Sequence, residues 1–205
     1  MIHEKLNLRF DIEKLRSHLE HEVFCRTPVK IGKNWGGWSV LSSNGKYTDG
    51  WEYPHFRDIL ENFEVIGIVD CFKSLFFDYG VECYKLPTEV CNGYLMTVME
   101  EIEKMGFRPR KAKLAILRAN GQIPFHQDRY NNDYAVRLHI PITTNVNSFF
   151  ICEEGRAHMP ADGSAYLVRI NRPHKVINFG DSDRIHLLMD VWDTKGVSKY
   201  HKYNV

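Results

Sequence analysis

The sequence predicts an α+β chain with a mainly β core: helices come first and a series of short strands follows. Three observations carry this expectation. Before residue 110 apolar residues recur at helical spacing. After it they alternate in short runs, and turn residues separate those runs at close intervals.

The first helix is expected over Asp11 to Phe24, where Ile12, Leu15, Leu19 and Val23 make one stripe at 3.6-residue spacing. A Gly- and Trp-rich segment follows from Gly32 to Trp51, with a strand at Trp38 to Leu41 and a Ser-Asn-Gly turn. Residues 56–82 are apolar without a clear period. A second helix is expected after Pro87, with Thr88 as N-cap, Glu89 in the first turn, Val90, Tyr94, Val98 and Ile102 on one face, and Gly106 as its stop. Strands are then expected at Lys113–Arg118, Ile123–Asp128, Ala135–Ile142, Ser148–Cys152, Ala165–Ile170, Lys175–Asn178 and Arg184–Trp192. Asn120-Gly121, Glu154-Gly155, Asp162-Gly163, Asn171-Arg172-Pro173 and Gly180-Asp181 are among the turns between them. Strands this short and evenly spaced form a barrel or a sandwich.

The length of 205 residues suits one domain, 1–205, comprising a largely helical part (1–110), a β core (111–193) and a tail (194–205). A net charge of +1 without a basic cluster gives no electrostatic reason to expect nucleic acid. No apolar stretch reaches bilayer-spanning length, and the N-terminus lacks a signal-peptide core, so no membrane is expected. The five cysteines are odd in number and scattered, without C-x-x-C spacing, which points to a reducing, cytoplasmic setting.

The chemistry is concentrated in the β part. A non-haem iron facial triad takes two histidines and a carboxylate, usually as His-x-Asp/Glu with a distant second His. Ten histidines and 26 acidic residues in 205 make about one His-x-acid pair expected by chance. Two such pairs occur. His18 and Glu20 lie in a helix, where residues two apart diverge by about 200° and cannot share a metal. His126 and Asp128 lie at a strand end, where residues two apart share a face. A pair there can chelate a metal, or its members can only hydrogen-bond one another. His174 opens a later strand after a tight turn. In the last strand Arg184, His186, Leu188 and Asp190 share one face, and Arg137, His139 and Pro141 do so in the middle strand. Such polar faces are ordinarily solvated, but Arg-x-His in the same phase on both strands also makes a shared anion site, because guanidinium binds carboxylate bidentately.

The ordered set Gly-x-x-x-x-His-x-Asp at Gly121–Asp128, Arg-Leu-His-Ile-Pro-Ile at Arg137–Ile142, Pro-His-x-Val-x-Asn at Pro173–Asn178 and Arg-x-x-Leu-x-x-Asp-Val-Trp at Arg184–Trp192 resembles the aspartyl/asparaginyl β-hydroxylase family of 2-oxoglutarate oxygenases. The resemblance covers about Leu114 to Trp192 and, more weakly, Trp35–Gly45. It implies a double-stranded β-helix (jelly-roll, cupin-like) with the N-terminal helices packed on one sheet. By the same resemblance His126, Asp128 and His174 match the iron(II) ligands, Arg184 matches the anchor of the distal 2-oxoglutarate carboxylate, and Arg137 and His139 match an Arg-x-His at the cosubstrate's other end. The presence of Asp128 sets the chain apart from the animal members, which lack the triad carboxylate, and aligns it with bacterial and phage-type members. The implied reaction consumes dioxygen and 2-oxoglutarate, releases succinate and carbon dioxide, and hydroxylates an amino acid or an amino-acid side chain in a peptide or protein. Trp38, Arg118, Arg129 and Asn178 are candidate substrate contacts, and His186 is read as structural. A cupin-type metal isomerase or hydrolase, or a non-catalytic metal-binding barrel, is the alternative; Arg184, ten residues after His174, argues against it.

Overall fold

The computed structural model describes residues 2–51, 81, 83–128 and 136–200. Among the described residues there are thirteen strands: β1 (His3–Arg9), β2 (Val29–Lys30), β3 (Trp35–Ser39), β4 (Leu41–Ser42), β5 (Leu86–Pro87), β6 (Phe107–Leu117), β7 (Gly121–His126), β8 (Val136–Thr143), β9 (Ser148–Cys152), β10 (Gly155–Ala157), β11 (Ser164–Arg169), β12 (His174–Asn178) and β13 (Arg184–Asp193). They form a seven-stranded sheet in the order β1-β11-β8-β13-β6-β3-β2 and a four-stranded sheet in the order β10-β9-β12-β7, with β4–β5 as a short ribbon. Two facing antiparallel sheets of this order make the expected double-stranded β-helix.

Helix α1 (Ile12–His18) starts where Asp11 caps it, its carboxylate accepting from Glu13 N and Lys14 N at 3.1 Å. At Leu19–Val23 it widens into a π turn, and Phe24 N donates to Leu19 O. The stripe predicted from spacing is the buried one: Leu15, Leu19 and Val23 enter the core. The adjoining His18 donates its Nε2–H to Val90 O, which disposes of the helical His-x-Glu pair as a structural contact.

Helix α2 spans Gly93–Met105, later than the sequence suggests. Thr88 does not cap it. Its hydroxyl donates to Ser39 O, and Cys91 N closes a separate turn on Thr88 O, so the helix begins only after Asn92. Gly106 ends it as expected, at a φ of 105° that favours glycine.

The two helices cover one face of the larger sheet. Leu138, Ile140 and Ile142 of β8, Leu187, Met189 and Val191 of β13, and Leu114 of β6 pack there with Leu15, Leu95 and Ile102. A second, smaller cluster, including Leu117, Phe150, Ile170 and Val176, lies between the sheets. The part before residue 110 is less purely helical than its spacing suggests: β1 pairs with β11 and β3 with β6 inside the larger sheet. No described helix is long and apolar enough to cross a membrane. Residues 56–80 and 82 of the unsettled segment, and Arg129, lie outside the described residues.

Candidate active site

The metal-ligand candidates meet at one end of the β12–β7 pair, at the edge of the smaller sheet. His126 is the last residue of β7 and His174 the first of β12, and the two are direct partners in that ladder. Their ring centroids lie 4.3 Å apart. Asp128 reaches them differently from the expected strand alternation. The strand stops at His126, and Asp128 is held in the following loop by its backbone N–H, which donates to Ile170 O at 3.1 Å. Gln127 Nε2 ties the same loop to Asn171 O. One ligand atom from each of the three side chains lies within 4.8 Å of the others.

The donor chemistry suits a divalent metal. Nδ1–H of His126 donates to Pro124 O at 2.9 Å and Nδ1–H of His174 to Arg172 O at 2.8 Å, which leaves each Nε2 lone pair to face the site. His174 Nε2 lies 3.7 Å from Asp128 Oδ2. Burial, assisted by neighbouring His126, pulls His174 down to about 4, so its imidazole is neutral near pH 7. Burial alone would raise the Asp128 carboxyl, but Arg137, His126, His174 and Lys111 outweigh it and hold it below the ordinary value. Two imidazoles and a carboxylate are the donor set of a facial triad.

Arg184 opens β13 and turns inward, 4% exposed, at the floor of a cavity shared with His126, His139 and His174. Its Nη2 donates to His186 Nδ1 at 2.9 Å, and no carboxylate pairs with it among the described residues. Burial lowers it to about 9, still cationic at neutral pH. His139, 3% exposed, has neither ring nitrogen hydrogen-bonded, and burial, with Arg184 and Arg137, keeps it neutral. A buried cation beside unsatisfied imidazole nitrogens leaves polar groups that a carboxylate would satisfy.

Arg137 does not point at an open end. Its Nε donates to Asp190 Oδ1 at 2.7 Å and its Nη1 to Asp128 Oδ2 at 3.1 Å, so it bridges two carboxylates and holds the triad's acid. It lines both cavities, and its two carboxylate partners were not foreseen.

Three of the substrate candidates are engaged elsewhere. Trp38 is a core residue, with Nε1 donating to Arg26 O; register puts Trp35, three positions earlier, on the other face of β3 and at the cavity. Arg118 is half exposed and paired with Asp183 at 2.6 Å. Asn178 is buried, its amide donating to Leu117 O, Arg118 O and Ser182 O and accepting from Asn145, so it knots the turn that precedes Arg184.

The lysines of β6 were missed. Between the pairs Leu188↔Lys113 and Asp190↔Arg110, Met189 alone opposes two residues of β6. This bulge has Lys111 at a φ of 48° and changes the strand's phase. Lys111 thereby leaves the face used by Phe107 and joins Lys113 and Ala115 at a cavity of about 410 Å³ beside His126 and Asp128. Trp51 closes one wall, with Lys113 Nζ 4.5 Å from its ring centroid. A Cβ on Gly37, whose φ is 145°, would strike Leu114 O and press on that indole. In the sequence, Lys113-x-Ala115 at a strand start was the available signal for one lysine; the bulge that recruits the other has none.

A family model described as aspartyl/asparaginyl β-hydroxylase matches residues 73–194, more than half of the chain. No curated protein matches. Solved structures of similar architecture include an oxidoreductase of the 2OG-Fe(II) oxygenase family from Burkholderia pseudomallei, at 14% identity and a TM-score of 0.50 over 93% of this chain and 84% of that one. Also similar are a viral collagen prolyl hydroxylase from Paramecium Bursaria Chlorella virus-1 (6% identity, TM-score 0.46, 93% and 96% covered) and a Pseudomonas putida prolyl-4-hydroxylase (11%, 0.43, 95% and 93%). At such identities the Burkholderia likeness is one of fold. The family match decides membership: the chain belongs to the aspartyl/asparaginyl β-hydroxylase family and is a 2-oxoglutarate-dependent oxygenase that uses iron(II).

Proposed function

We propose, on the premise of that membership, that His126, Asp128 and His174 hold the iron(II), that Arg184 anchors the distal carboxylate of 2-oxoglutarate, and that the enzyme hydroxylates an amino acid or an amino-acid side chain in a peptide or protein. The observation that carries this reading is Arg184: a buried guanidinium, without a carboxylate partner among the described residues, in one cavity with two of the metal-ligand candidates. Leaving a cation buried and unpaired costs several kcal/mol, roughly, and a dianion that reaches from Arg184 to the metal removes that cost. A cupin-type isomerase or hydrolase has no use for such an anchor.

With both groups bound, the centre supplies dioxygen activation coupled to conversion of 2-oxoglutarate into succinate and carbon dioxide. The chain's own residues orient and exclude. His186 accepts from Arg184 and fixes the fork of the guanidinium. His139 presents unpartnered ring nitrogens to the same cavity, where an N–H would donate to the cosubstrate once bound. Arg137, steadied by Asp190, keeps Asp128 ionised and aimed. Trp35, Ile123 and Leu188 line the junction of both cavities and keep water from the reacting atoms. The pairing of β1 and β3 into the larger sheet supports a single oxygenase domain over 1–205. A cytoplasmic location, suggested by the scattered cysteines, belongs to the same proposal.

The test is a screen of amino acids and peptides by mass spectrometry, scoring gain of one oxygen atom with equimolar succinate. Coupled product from an amino acid or peptide is the expected result. Product only from a lipid, nucleobase or sugar would remove the amino-acid reading and leave the oxygenase.

A further inference from the structure

We infer that His186 is a positioning residue that sets cosubstrate length: with Phe150 and His139 it forms a train of packed rings that fixes the span from His174 to Arg184 and so selects a five-carbon 2-oxo diacid. This deepens the reading of Arg184 as the cosubstrate anchor, and rests on it. Alternation along β13 puts His186 on the polar face without giving it a task; its contacts supply one.

The train joins the two ends of the Arg184 cavity. The His174 ring stacks on Phe150, with centroids 5.0 Å apart and an interplanar angle of 19°. Phe150 stands edge-on to His139 at 6.2 Å, and His139 edge-on to His186 at 5.9 Å. Nδ1 of His186 then meets Nη2 of Arg184 at 2.9 Å. None of the five residues is more than 4% exposed. A close-packed interior compresses little, so the guanidinium does not shift relative to His174 while every ring is in place.

The last link also fixes a proton. A guanidinium only donates, so Nδ1 of His186 supplies the lone pair and the ring proton sits on Nε2. That Nε2–H is buried and has no acceptor. A histidine kept for structure ordinarily satisfies both nitrogens, whereas the one hydrogen bond of this ring goes to the anchor. Burial, with the charge of Arg184 second, keeps the imidazole neutral and its lone pair available. Arginine is long and flexible, and an acceptor at its far end removes the rotations by which the fork could retreat. Leu117, Ile170 and Val176 close the cavity around it. A diacid held at the triad and at a fixed fork therefore has one permitted length, and an added methylene must displace packed rings.

Anaerobic titration of the iron(II)-loaded protein with 2-oxoglutarate and with 2-oxoadipate, one methylene longer, tests this. Both carry the same 2-oxo acid end, so the ratio of their affinities reports the anchor end. The parent protein should prefer 2-oxoglutarate by about 10–200-fold, the usual effect of one methylene in a closed pocket. His186→Leu, which keeps the volume and removes the acceptor, should weaken 2-oxoglutarate roughly tenfold and cut the preference roughly fivefold or more. Phe150→Leu, which takes a ring from the middle of the train, should cut the preference too. A merely structural ring would weaken both diacids alike. Nitrogen-15 NMR of the metal-free parent should find His186 protonated on Nε2, a readout that needs no variant to fold. A parent that binds both diacids equally, a folded His186→Leu or Phe150→Leu that keeps the preference, or a proton on Nδ1 of His186 overturns the inference. Failure of the underlying reading looks different: the parent does not bind 2-oxoglutarate, or Arg184→Ala binds it as the parent does. Binding that depends on Arg184 with a preference indifferent to His186 sinks only the ring train.

Discussion

Strands β8 and β13 carry opposite chemistries on their two faces, and both faces are buried. Toward the helices they present Val136, Leu138, Ile140 and Ile142, and Ile185, Leu187, Met189 and Val191, all in the main core. Toward the smaller sheet they present Arg137 and His139, and Arg184, His186 and Asp190, of which all but Arg137 are nearly inaccessible. Alternation of this kind ordinarily separates core from solvent. Here the second sheet roofs the polar face. The charged groups therefore cost stability where they stand, and a bound metal and dianion recover that cost. One face holds the fold; the other, on the proposed reading, holds the ligands.

The largest expected break between the faces comes from the metal ligands. His174→Ala should abolish succinate formation with little loss of folding stability in the metal-free protein, because a desolvated imidazole is removed. Activity assay beside thermal unfolding checks it; an unfolded variant would place His174 with the core instead. Leu187→Ala, next to His186 in sequence but on the other face, should do the reverse. It should cost about 2–5 kcal/mol by urea unfolding and leave the 2-oxoglutarate requirement of the folded enzyme unchanged. Arg184→Ala should raise the 2-oxoglutarate KM roughly 100-fold (about 2.7 kcal/mol) with little change in iron affinity, and Arg184→Lys should recover part of it, a point charge replacing a planar fork.

A smaller effect is pH-dependent. Burial, with Arg184 second, holds His139 and His186 well below the ordinary histidine value of 6.5. The unfolded chain then takes up protons first, so stability is fully present above 6.5 and falls as the pH drops below it, by about 1.4 kcal/mol per pH unit for each histidine. Urea unfolding of the metal-free protein between about pH 7 and pH 5 should show this slope, and His139→Phe should flatten it. An unchanged slope would mean that His139 is solvated. The smallest effect distinguishes the tryptophans. Trp35→Ala should increase 2-oxoglutarate consumption relative to hydroxylated product, whereas Trp38→Ala should lower stability and leave that ratio alone.

The β part was legible because its strands are short, alternating and bounded by turn residues, and the candidate ligands were legible because His126 and His174 sit at strand ends, with Asp128 two residues past the first, in a known order. What escaped depended on register. Trp35 and Trp38 look equivalent until the pairing of β3 with β6 assigns their faces. Asp128 is placed beside the two histidines through a hydrogen bond to Ile170, about forty residues further along the chain, not through alternation. Lys111 faces inward only because of a bulge whose left-handed residue is a lysine, where a glycine would have signalled it. Strand β1 carries only Leu6 and Leu8 between polar neighbours, too short an alternation to separate from the helix that follows.

Arg184 and the triad are proposed to act together on one dianion, and anaerobic titration of 2-oxoglutarate into the iron(II)-loaded protein tests that most directly. The weak visible charge-transfer band of the iron chelate should develop saturably in the parent protein, require roughly 100-fold more 2-oxoglutarate in Arg184→Ala, and be absent from His174→Ala. An iron-loaded parent protein that gives no band, or an Arg184→Ala variant that titrates like the parent, would contradict it.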